Sequence, residues 1–74
     1  MSRRTLDEKK LAFVAFCIEE YKTEIGSTGG KVVDYFKKLG VIDYLMEFYD
    51  VLHSMSRKEI LADIEKFIKN RSKQ

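Results

Sequence analysis

Apolar positions along this chain recur at spacings of three and four, in four stretches separated by Ser and Gly clusters, and no proline interrupts them. That period belongs to helices and not to half-buried strands, which alternate every second residue. The pattern predicts an all-α fold, a compact bundle of about four helices. It forms one domain over residues 1–74, with a core over about 6–69 and a basic tail at 70–74 that frays because nothing apolar remains to hold it.

The ends of the helices are written in their capping residues. Thr5 followed by Glu8 has the spacing of a capping box, in which the hydroxyl and the carboxylate satisfy each other's backbone donors, so the first helix starts there and runs to about Ile25. Gly26 closes it, Ser27 or Thr28 caps the second helix through Val32, Val33, Phe36 and Leu39, and Gly40 ends that one. The third, from about Val41 to His53, carries Val41, Leu45, Phe48, Leu52 and Met55 in alternating steps of four and three, a continuous seam expected in the core. A second capping box, Ser56 with Glu59, starts the fourth helix, where Met55 can meet Ile60 as a hydrophobic staple and Ile60, Leu61, Ile64, Phe67 and Ile68 form the buried stripe.

On the first helix, Leu11, Val14, Ile18, Tyr21 and Ile25 project to one side as a core stripe. Phe16 falls opposite, among Lys9, Glu19, Glu20 and Thr23, with Phe13 at the flank. Either this helix is covered on two sides by the others, or Phe16 and Phe13 belong to a partner surface.

Length and composition narrow the possibilities. Seventy-four residues allow a single core, and 45% hydrophobic with 35% charged residues is the composition of a folded domain. A core this small supplies on the order of 3–5 kcal/mol unless something staples it. The one cysteine, Cys17, has no disulfide partner, and no His/Cys cluster has the spacing of a zinc site. Association with a protein partner or with a second copy is the remaining staple. No cofactor, metal or membrane segment is expected: the run Leu11 to Ile18 is too short to span a bilayer, and the expected location is the cytoplasm.

The net charge of +2 is small, but it is unevenly placed: Arg3 and Arg4 lie in front and Lys66, Lys69, Arg71 and Lys73 behind, while Val41 to His53 holds Asp43, Glu47 and Asp50 without a Lys or Arg. This bears on the central pair of helices, which has the outline of a helix-turn-helix, the frame of many DNA-binding regulators. Its second helix would bring three carboxylates to the phosphates, and bulky Phe36 stands where that crossing favours a small side chain, so nucleic acid is not the expected partner. Gly29-Gly30-Lys31 resembles the end of a phosphate-binding loop, but Ile25 stands where that loop needs its first glycine and Val32 where it needs Ser or Thr.

The residues with chemical potential are Tyr49, Asp50 and His53, whose spacings of three and four make them neighbours on a helix. An Asp beside a His is a component of general acid–base catalysis, yet no nucleophile or oxyanion site accompanies it, and no enzyme is expected. His53 in the last turn can instead satisfy terminal carbonyls, or contact a ligand or partner.

Phe13-Val14-x-Phe16-Cys17-Ile18-Glu19, then Gly30-Lys31, Leu39-Gly40, Tyr44-Leu45 and Tyr49-Asp50-Val51-Leu52-His53 occur in that order. Together they resemble a small bacterial family known only as domain of unknown function 3791, marked by a Tyr-Asp-x-Leu-His motif. The resemblance covers about Leu11 to Ile68. Where members follow the histidine with Thr-Gln-Gly or similar, this chain has Ser54-Met55-Ser56. Members look like short stand-alone domains, some associated with ADP-ribosyltransferase-like toxin proteins, so the resemblance implies an antitoxin or accessory role and directs attention to Tyr49, Asp50 and His53.

The expected function is a helical protein-interaction module, with a DNA-binding regulator as the alternative. The partner-binding candidates are Phe13, Phe16, Tyr44, Tyr49, Asp50 and His53.

Overall fold

The computed structural model describes residues 5–72. They form an all-α bundle of five helices: α1 (Leu6–Ile25), α2 (Gly29–Leu39), α3 (Val41–Glu47), α4 (Tyr49–Leu52) and α5 (Arg57–Ser72). The capping boxes stand as their spacings predict. Glu8 N–H donates to the Thr5 hydroxyl at 3.1 Å while Thr5 N–H donates to the Glu8 carboxylate at 3.0 Å, and Ser56 with Glu59 repeats the exchange at 3.2 and 2.9 Å. Thr28, not Ser27, caps α2 by accepting from Lys31 N–H at 3.3 Å.

Gly26 and Gly40 both close helices in the left-handed conformation, with φ of 67° and 77°, which only glycine adopts without steric cost. Gly40 also opens α3, so α2 and α3 are joined through this single residue. The DNA-reading form of a helix pair has a turn of about three or four residues at that point.

The third expected helix is divided at Phe48, whose φ of −103° and ψ of 22° lie outside the helical region. The backbone ladder reaches Phe48 N–H to the Tyr44 carbonyl and resumes with Val51 and Leu52 N–H both on the Phe48 carbonyl. This bend changes the seam. Val41, Leu45 and Leu52 are buried and Met55 packs against the core, but Phe48, expected inside, is 44% exposed.

Fully buried Phe36, Leu45, Ile64, Val32, Val41 and Cys17 form the centre, and α1 packs on α2, α3 and α5 around it. On α1 the buried side runs through Phe13, Val14, Cys17 and Tyr21, while Leu11, expected in the core, is 57% exposed, and Ile25 is exposed as well. The expected stripe and the observed one share Val14 and Tyr21 and differ by a rotation of roughly 60° about the helix. The larger ring decides between them: Phe13 packs edge-on to Tyr49 at 5.6 Å between centroids, burying more apolar area than Leu11 would.

The helix α5 includes Asn70, Arg71 and Ser72, part of the stretch expected to fray. There the Ser72 hydroxyl donates to the Ile68 carbonyl at 2.9 Å, and the Arg71 guanidinium lies over the Phe67 ring at 5.0 Å. Lys73 and Gln74, like Arg3 and Arg4, fall outside the described residues. No helix among the described residues is long and apolar enough to cross a membrane.

Candidate interaction surface

At the bend, the consecutive aromatic residues Phe48 and Tyr49 have different ring partners, and each begins a ladder of rings. Tyr49 turns toward α1. Its ring meets Phe13, which stacks with Phe16 at 6.5 Å, and on its other side it lies parallel to the His53 imidazole, 4.4 Å away at 10°. Phe48 turns toward α5. It lies 5.1 Å from Tyr44, whose ring stacks on Phe67 at 4.3 Å, with Arg71 beyond.

Of the six candidates, Phe13, Phe16, Tyr49 and His53 therefore form one continuous ladder and Tyr44 belongs to the other. Phe13 is its buried member, Tyr49 is half-buried, and Phe16 at 41% exposure and His53 reach solvent. Phe16 stays outside even though α1 has neighbours in α2, α3 and α5, so the packing of α1 does not cover it.

His53 satisfies the end of α4. Its Nδ1 lies 2.7 Å from the Tyr49 carbonyl, an oxygen that only accepts, so the proton sits on Nδ1 and Nε2 is left for solvent or a partner. Asp50 is exposed, and no hydrogen bond joins it to His53 among the described residues. The acid–base pair that the spacing allows is not assembled, because the ring is turned onto the Tyr49 backbone. Grooves of about 410, 350 and 290 Å³ lie elsewhere, lined by residues such as Tyr21, Arg57 and Glu65, Ile25 and Tyr35, or Lys37 and Arg71, and one of about 240 Å³ runs beside α3 between Lys37, Ile42 and Asp43.

In the second ladder the Tyr44 hydroxyl donates to the Asp63 carboxylate, which pins α3 to α5. Burial first, then the hydrogen bond donated to Asp63 and the negative charge of that carboxylate, push the Tyr44 phenol up to about 12, since all three oppose the phenolate. Cys17 is likewise pushed up to about 12 by burial and then by Glu20, and it is held as an inert thiol. Among the described residues no three His, Cys, Asp or Glu side chains converge to hold a metal ion.

Between the ladders runs a line of carboxylates. Asp43, Glu47 and Asp50, at steps of four and three, are all exposed, and beside them Val51 is 62% exposed. The ion pairs among the described residues join Lys22 to Glu19 and Arg57 to Glu20 and Glu24, and none of the three carboxylates takes part.

These features lie within a stretch that a family model recognises. Residues 12–71 match the family described as Protein of unknown function (DUF3791). The chain belongs to this family. No curated protein and no solved structure matches it. The matched stretch of the DUF3791 domain takes in both ladders from Phe13 to Arg71, and the first capping box lies before it.

Sequence reasoning missed Phe48 and Val51 as surface residues. Phe48 keeps the four-three spacing of the seam, and nothing in that spacing announces the bend. The one available signal was the adjacency of Phe48 and Tyr49, because consecutive helical residues point about 100° apart and cannot share one narrow stripe.

Proposed function

We propose that this DUF3791 domain is a protein-interaction module whose docking surface is the outward side of α3–α4 with the exposed edge of α1. The observation that carries this reading is the set of large apolar side chains left uncovered, Phe48 and Val51 at the bend and Phe16 on α1, at 44, 62 and 41% exposure. Scattered surface hydrophobics are ordinary, but each exposed ring here continues into partly covered neighbours, Phe16 through Phe13 to Tyr49 and Phe48 to Tyr44, as in surfaces that partners cover. Aromatic residues also supply large contact area at low conformational cost, as interface anchors do.

The charge of this side favours protein over nucleic acid. The outward face of α3, which a helix-turn-helix protein would present to DNA, carries Asp43 and Glu47 and repels phosphate. An accessory role beside an ADP-ribosyltransferase-like enzyme, implied by the family resemblance, is one setting in which such a surface would serve.

The test is capture of partners from the host by the tagged domain, compared with Phe16→Glu, Val51→Glu and, on the α1–α5 side, Lys58→Glu. The reading expects a protein retained by wild type and Lys58→Glu and lost from both other variants, all four having the same helical circular dichroism. Retention by all four would sink it.

A further inference from the structure

The geometry points to a partner of particular chemistry: an amphipathic helix bearing Lys or Arg beside its apolar stripe, laid along α3–α4 with the stripe on Phe48 and Val51. This rests on the interaction reading above and names what that surface takes.

A helical occupant follows from what the surface offers. The described residues contain no strand, so there is no open backbone edge for an extended peptide to pair with, and recognition must come from side chains. Helix α3, Val41–Glu47, is 7 residues, about 10 Å at helical rise or roughly two turns of a second helix, and α4 carries the surface on past the bend at Phe48. Phe48 at the bend and Val51 in α4 are both exposed and offer a partner's apolar stripe two points of contact.

Charge complementarity makes that helix basic. Val41 to Ser56 holds Asp43, Glu47 and Asp50 and no Lys or Arg. All three carboxylates are exposed, and the ion pairs among the described residues leave them out. Asp43 and Glu47 are four residues apart on α3, about 6 Å along the helix and within one Debye length at physiological salt, so they act on an approaching charge together. Whole-chain charge works the other way: at +2 it weakly repels cations. Preference for a basic partner would therefore be a local property of this face, and would guide orientation and association rate more than raw affinity.

The probes are two designed 18-residue helical peptides with the same leucine stripe, one flanked by lysines and the other by glutamates. Their binding to the wild-type domain and to Asp43→Lys/Glu47→Lys/Asp50→Lys is followed by fluorescence anisotropy at several salt concentrations. The lysine peptide should bind the wild type at least tenfold more tightly than the glutamate peptide, with a preference that shrinks as salt rises and reverses in the triple variant. Equal binding of both peptides, lost with Val51→Glu, would overturn the basic-partner inference while leaving the docking surface in place. Failure of both to bind a folded domain would overturn the inference, and the capture experiment with Phe16→Glu and Val51→Glu separately decides the broader reading. Sedimentation showing a wild-type dimer that Val51→Glu dissolves would also overturn it, in favour of a second copy as the occupant.

Discussion

At the seam between α1 and α5, Arg57 bonds to Glu20 and reaches Glu24 at 3.6 Å, while Tyr21 lies buried and its phenol is pushed up by burial and by the Glu65 carboxylate. On the outward face of α3–α4, Asp43, Glu47 and Asp50 stand beside exposed Phe48 and Val51, and the ion pairs among the described residues do not include them. Both regions mix charge with apolar surface. In the first, opposite charges from two helices meet over a ring that the core has absorbed, so the groups serve the packing. In the second, Asp43, Glu47 and Asp50 stand beside apolar side chains that the core has left outside. A side chain whose needs are met within the fold works for the fold, and one whose needs are unmet is available to something else.

That contrast breaks if the two kinds of position respond alike to mutation. The largest effect is expected in the interior that both regions share: Leu45→Ala, at a fully buried position, should cost about 2–5 kcal/mol in urea denaturation, much of what a domain this small has. On the α3–α5 contact, Tyr44→Phe removes the donor to Asp63 and should cost about 1 kcal/mol, read the same way. Ser56→Ala, which removes one arm of the second capping box, should also cost about 1 kcal/mol. The smallest effect belongs to the uncovered face, where Val51→Glu should change stability by no more than about 0.5 kcal/mol.

Alkali sharpens the comparison. The protonated forms of Cys17 and Tyr44 are favoured by folding, because both groups are pushed up to about 12 from ordinary values of 9.0 and 10.0. The stability they contribute is therefore full below pH 9 for the thiol and pH 10 for the phenol, and it is lost as pH rises from those values toward 12. The urea midpoint should fall over that window in the wild type, and fall less in Cys17→Ala and in Tyr44→Phe.

Much of the bundle was legible in local chemistry. Thr5 with Glu8, Ser56 with Glu59, and Gly26 and Gly40 mark helix ends through hydrogen bonds and backbone freedom that involve only a few consecutive residues. What required the fold was the orientation of each stripe. Leu11 and Phe13 fit alternative faces of α1, and only contact with Tyr49, 36 positions beyond Phe13, settled which one turned inward. The bend at Phe48 was equally hidden, because the seam from Val41 to Leu52 reads as continuous until α4 must bring Tyr49 to α1 and Leu52 into the core at once. Among the candidate residues, spacing placed Tyr49 beside His53 correctly, but it also offered Asp50 as a partner for the imidazole, which the Tyr49 carbonyl takes instead.

On the proposed reading, Phe16 and Val51 are uncovered because they bind and not because the core is incomplete. Urea denaturation of Phe16→Glu/Val51→Glu tests it most directly. The account predicts an unfolding free energy within about 1 kcal/mol of wild type, since both side chains are solvent-facing at helical positions where glutamate is a good helix former. A loss of more than about 2 kcal/mol, the scale of removing a buried side chain, would contradict it by showing that these residues hold the fold together.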